Sequence, residues 1–152
     1  MKYKPQDDGI THINVYSKGN TELGKLLSNF AHTPFRIPFM GDFQSVEGFW
    51  YWVITGADEL KILHGWYAKR RGEQISLNLG TFTKEEYAVT KQHLQIAYKA
   101  KLRYNKKIEE MLMKNELPLT HYYVYNEKIV TPKEFQWTAT LWEEIKNEKR
   151  IR

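Results

Sequence analysis

The chain has 152 residues, 23 Lys and Arg against 18 Asp and Glu, a formal charge of +5, and no cysteine. The missing thiols exclude disulfides, thiolate zinc sites, iron–sulfur clusters and cysteine nucleophiles together. With 41% hydrophobic and 14% aromatic residues the sequence is too rich in core material for a disordered chain, and no apolar run approaches the roughly 20 residues that span a bilayer. A chain of this length can bury roughly 70% of its extended surface, which supports one core and a single domain over residues 1–152. The opening MKYKPQDDGI lacks the apolar stretch of a secretory signal, so the reading expects a soluble, cytoplasmic protein.

In chain order, residues 12–17 alternate Ile13 and Val15 with polar neighbours and predict a half-buried strand. Residues 33–43 carry Pro34, Pro38 and Gly41 and read as a loop with one short edge strand. Ser45 caps a helix that runs through the aromatic cluster to Gly56. Asp58 opens a second helical stretch that stops near Gly72, with Lys69, Arg70 and Arg71 in its last turn, where the macrodipole favours cations. Thr83 and Glu86 have capping-box spacing and open the longest helix, whose buried face is Tyr87, Lys91, Leu94, Tyr98, Leu102, Ile108 and Leu112. Pro118 lies beyond its end. Residues 122–131 predict a hairpin turning at Asn126–Glu127, Thr131–Glu134 has a helix-start signature, and a last helix covers 139–150. The sum is α+β, a helix-dominated single domain with a small sheet.

The charge is concentrated. Residues 84–114 hold eight basic side chains against four acidic ones, a local excess of +4. A positive field of this kind attracts nucleic acid or phosphorylated ligands, although for an excess this small a solvated helix face is the commoner explanation. Gly19–Leu26 nearly matches a phosphate-binding loop, but Leu26 replaces the hydroxyl that would hold magnesium, so it reads as a coincidental turn. The five histidines show no paired ligand spacing, and no metal site is expected.

Glu47 is the most informative single residue, because it precedes Phe49-Trp50-Tyr51-Trp52. Its structural role is that of a helix-start acid beside the free amides of the first turn. Its functional role is that of a carboxylate in an apolar cleft, acting as general base or stabilising a developing cation. Four consecutive aromatics cover every side of a helix, and Trp50 or Trp52 can stack on a planar ring.

Taken together, Ile13-Asn14-Val15-Tyr16, Leu27-Ser28-Asn29-Phe30, Ser45-Val46-Glu47 and Ala68-Lys69 with Gly72 occur in the order of the corresponding elements of the NADAR superfamily, whose other named branch is the YbiA-like N-glycosidases. The chain resembles that family from about Ile13 to Leu119. It departs at Gly48, where the family has His, and at Tyr51 and Ile54, where it has Gln and Lys. Lys69, Lys18 and Lys25 are candidates for the displaced amine. The pattern is that of a divergent branch of the kind found in phage and bacterial genomes.

The resemblance implies an N-glycosidic hydrolase that removes ADP-ribose from a modified nucleobase in DNA, reversing a toxin's modification. It also admits a glycosidase acting on ribosylamine intermediates of riboflavin synthesis, or a catalytically inert module that binds ADP-ribose or nucleic acid. In that frame Glu47 and Lys69 are the catalytic candidates, while Tyr16, Ser28, Asn29, Phe30 and Trp50 hold ribose and ring. Lys99, Lys101, Arg103, Lys106 and Lys107 meet the DNA backbone or a pyrophosphate. No metal or redox cofactor is implied.

Overall fold

The computed structural model describes residues 3–80, 89–132 and 136–151. Its elements are β1 (Ile13–Asn14), α1 (Glu22–Leu27), β2 (Phe35–Ile37), β3 (Gly41–Phe43), α2 (Val46–Thr55), α3 (Gly65–Leu79), α4 (Lys91–Tyr104), α5 (Lys106–Lys114), β4 (Leu119–Thr120), β5 (Tyr123–Tyr125), β6 (Lys128–Val130) and α6 (Gln136–Ile151), with 3-10 turns at Pro5–Asp7 and Asp58–Ile62. The architecture is α+β and dominated by helices, and the strands form three separate two-stranded pairs. No helix among the described residues is long and apolar enough to cross a membrane. The backbone resolves into two compact units, one built from both ends of the chain (Met1–Ser28 and Lys107–Arg152) and one from the middle, Asn29–Lys106.

In the first unit β1 pairs in parallel with β4, Ile13 opposite Leu119. The strand is buried on both sides, because the polar positions are satisfied internally. The Asn14 side chain exchanges hydrogen bonds with the backbone of Tyr122, donating to its carbonyl at 3.0 Å and accepting from its N–H at 3.0 Å, while Asp8 accepts from the Asn14 N–H at 2.9 Å. Two-sided burial replaces the predicted alternation because a fully hydrogen-bonded Asn is tolerated in a core. Thr21 caps α1 by accepting from the Gly24 N–H. A Cβ on Gly24 would collide with the Asn14 carbonyl, so this near phosphate-loop is a turn shaped by packing on β1. The hairpin β5–β6 turns at Asn126 and Glu127, with φ of 47° and 68°, in agreement with the sequence reading. In α6, which extends beyond the expected 139–150, Leu141, Trp142 and Ile145 are buried.

The second unit begins with β2 and β3, which form an antiparallel hairpin where the sequence predicted a loop with one edge strand. Pro38 falls in the turn, with Phe39 at φ 69° and Gly41 at φ 111°. The prolines and glycine thus punctuate the hairpin. Phe35 and Phe43 stack across it at 5.7 Å, and Phe43 meets Phe49 of α2 edge-on at 5.1 Å. Ser45 caps α2 by accepting from Gly48 N–H, and Gly56 ends it at φ 72°, as expected.

Three boundaries differ from the sequence reading. The stretch from Asp58 is a short 3-10 turn, and α3 is a separate helix that passes through Gly72 and stops at Gly80. Lys69–Arg71 are therefore mid-helix, away from the C-terminal dipole. Gly72 serves close packing, because a Cβ there would stand 2.1 Å from Cγ of the Tyr51 ring of α2. The long basic helix is two helices, α4 capped by Thr90 and α5, parted at Asn105. The Asn105 side chain donates to the carbonyls of Lys101 and Pro34 at 2.7 and 3.0 Å. Leu94, Tyr98, Leu102, Ile108 and Leu112 are buried as predicted, while Lys91 is exposed. The expected caps at Thr83–Glu86, Tyr87, and most of the Thr131–Glu134 helix start lie outside the described residues.

Candidate functional site

Within the second unit the first turn of α2 carries Glu47. Its position is fixed twice over. The Glu47 N–H donates to the Asn29 carbonyl at 2.9 Å, and Ser45 both caps the helix and donates to the Leu63 carbonyl at 2.9 Å. Gly48 permits this approach, since a Cβ there would stand 2.5 Å from the Leu60 carbonyl oxygen and 3.1 Å from that of Leu63. Gly48, which stands where the Ser-Val-Glu-His pattern has His, is thus required by this local packing.

Glu47 is half-buried, and desolvation pushes its carboxyl up to about 7. Lys69 opposes that shift as the largest charge effect, and Glu73 adds to it. Trp66, Lys69 and Glu73 follow one another at three and four residues along α3, so they share a stripe of that helix. The neighbouring stripe of Ala68, Gly72 and Ser76 is buried. Tyr98 of α4 donates from its hydroxyl to the Asn29 side-chain oxygen at 2.7 Å. Its phenol is held well above its usual range by burial first and by Glu47 second, with the Asn29 hydrogen bond working against both. Lys69, Glu73 and Tyr98 are thus electrostatically coupled to Glu47, and Asn29 joins them through its hydrogen bond to Tyr98. A carboxyl raised towards neutrality can exchange a proton with water or with a leaving group.

Of the sequence candidates, this group brings together Glu47, Lys69 and Asn29. Phe30 is half-buried in the same unit, next in the chain to Asn29. Trp50 does not serve as a ring platform, because it is 7% exposed and belongs to the core of α2. Trp52 is likewise committed, donating to Asp58 at 3.0 Å and lying under Lys61 at 4.8 Å. Tyr16 and Ser28 lie in the first unit, both buried. Tyr16 packs edge-on against Tyr123 at 5.5 Å, and Ser28 closes the end of α1. Tyr98 and Glu73 were not among the sequence candidates. Glu73 had a signal in its four-residue spacing from Lys69, whereas Tyr98 looked like core and is core.

The basic candidates separate. Arg103 and Lys106 are exposed and Lys99 is half-buried. Lys101 is fully buried, so its amine is out of reach of a phosphate in solution, and desolvation lowers it to about 7. Lys107, in the first unit, pairs with Glu22 at 3.5 Å. Among the described residues no group of three His, Asp or Glu is arranged to hold a metal ion. Comparison with known proteins gives no matching family model, no matching curated protein and no matching solved structure.

Proposed function

We propose that the chain is an N-glycosidic hydrolase of NADAR type that removes ADP-ribose from a modified nucleobase, with Glu47 and Lys69 at its centre. The observation that carries this reading is the half-buried Glu47 carboxyl in the first turn of α2, anchored by its N–H on the Asn29 carbonyl at 2.9 Å, where desolvation pushes it up and Lys69 pulls it down. In the reaction the bond between ribose C1′ and the base nitrogen breaks, and its electron pair leaves with the nitrogen. The oxocarbenium-like carbon is stabilised by the Glu47 carboxylate and captured by water, whose proton Glu47 accepts. That proton then neutralises the departing nitrogen, and the products are the free base and ADP-ribose. Lys69 binds a phosphate of the pyrophosphate.

The test is Glu47→Gln, which keeps size and hydrogen-bonding capacity. It is expected to fold as wild type and to lose release of ADP-ribose from modified DNA by at least a hundredfold, in line with general acid–base contributions of about 10²–10⁴. Undiminished release would remove Glu47 from the mechanism. A second reading, the glycosidase acting on small ribosylamines, is favoured by the burial of Lys101 and the pairing of Lys107, which leave fewer cations for a DNA backbone. Turnover of a free ribosylamine with none on modified DNA would select it. Binding of ADP-ribose without product in either assay would select the inert module.

A further inference from the structure

The indole lost from the site when Trp50 proves to be core has a counterpart on α3. Trp66 is 58% exposed in the first turn of that helix. Tyr67 beside it is 77% exposed, and the exposed His64 stacks on His32 at 4.3 Å with the rings 5° from parallel. Trp66 is also tied to the charged group already described. The Lys69 ammonium lies 5.5 Å from the centre of the indole and is the leading charge acting on Glu47. Ring and ammonium are thus in contact, and the ammonium acts in turn on the Glu47 carboxyl.

We propose that Trp66 is the stacking platform for the adenine of an ADP-ribosyl substrate. This rests on the glycosidase reading, because the substrate presents the matching chemistries: adenine, pyrophosphate, then the ribose whose anomeric carbon reacts. Adenine stacks on the indole, Lys69 meets the pyrophosphate between, and Glu47 faces the anomeric carbon. A base on an aromatic ring is bound without regard to its hydrogen-bonding edge, and removing the ring costs about 1–3 kcal/mol per base, which is roughly five- to 150-fold in affinity. A mostly exposed indole makes little contribution to the core, so its loss leaves folding intact.

The experiment is calorimetric titration of the full chain with ADP-ribose, AMP and ribose 5-phosphate, in wild type, Trp66→Ala and Trp66→Phe. Trp66→Ala is expected to weaken ADP-ribose and AMP about tenfold or more and to leave ribose 5-phosphate unchanged, and Trp66→Phe restores most of the loss. Equal affinity of Trp66→Ala and wild type for ADP-ribose overturns the proposal. So does equal weakening of all three ligands, or a wild type that binds none of them. The same titrations on Glu47→Gln separate the two claims. If that variant keeps full hydrolytic activity, the glycosidase assignment of Glu47 fails, while the dependence of binding on Trp66 is read independently.

Discussion

Lys69 and Glu73 pull the Glu47 carboxyl in opposite directions, and this makes the arrangement measurable without any substrate. Lys69→Met removes a positive charge that holds the pKa down, so the midpoint near 7 moves up. Glu73→Gln removes a negative charge that holds it up, so the midpoint moves down. A carbon-detected NMR titration of the Glu47 carboxyl reads both shifts, and movement of the two variants in the same direction would dismantle the proposed grouping. The stability consequence has a definite sign. The folded pKa of about 7 lies above the ordinary value of 4.5, so between these pH values the native state binds more protons than the unfolded chain. Stability contributed by the neutral carboxyl is complete at low pH and is lost as pH rises through about 7. Glu47→Gln is therefore expected to be more stable than wild type at pH 8, by about 1–3 kcal/mol, with a smaller difference at pH 5. Denaturant melts at the two pH values check this. At this scale the sequence singled out Glu47 as a candidate, because a carboxylate beside a run of aromatics is a local pattern. That Trp50 is buried was not legible, because in Phe49–Trp52 every side of α2 carries an aromatic and only the packing partners decide which one is buried.

Between α2 and α3 the deciding residue is Gly72. A glycine after a basic run reads as a helix stop, yet here it lets the Tyr51 ring lie against the α3 backbone in mid-helix. The true stop, Gly80, has φ 67° and open space where a Cβ would stand, and Gly56 is similar at φ 72°. The two kinds of glycine fail differently. Gly80→Ala forces an alanine into the left-handed region, at about 1–2 kcal/mol. Gly72→Ala gains helix propensity but drives a methyl group into a ring, and overpacking of this kind costs typically about 1–3 kcal/mol or more. Gly72→Ala is expected to lower Tm further than Gly80→Ala and also to disturb the Glu47 titration, whereas Gly80→Ala leaves it unchanged. An equal loss in both, with the Glu47 titration intact, would mean that the Tyr51 contact is not what holds the site together. The break between α4 and α5 was not legible in the periodicity, because Ile108 stands seven residues after the buried Lys101 and eleven after the buried Ala97, steps that continue one helix face. The hairpin at Asn126–Glu127 was legible for the opposite reason. Its turn chemistry is local, and the strand alternation on either side fixes the register.

Over the whole molecule the formal charge of +5 overstates what a polyanion meets. Lys101 is the clearest case. Burial depresses its amine to about 7 from 10.5, so between those pH values the unfolded chain binds more protons than the native one and stability rises with pH. Lys101→Met matches the volume without the charge, so its stability relative to wild type is expected to be higher at pH 6 than at pH 10. The same substitution separates composition from surface. If net charge alone drew DNA to the protein, removing any lysine would weaken the complex. If exposed cations do so, Lys101→Met leaves DNA affinity unchanged, while Arg103→Glu, at an exposed position on the same helix, reduces it. Lys99, Arg103 and Lys106 allow about three phosphate contacts, for which counterion release gives a log–log salt slope near −2.7, or about a 40-fold loss of affinity between 50 and 200 mM salt. Arg103→Glu is expected to flatten that slope by about one. A wild-type affinity insensitive to salt would instead point to a small, singly bound ribosyl substrate, for which the field of α4 is incidental.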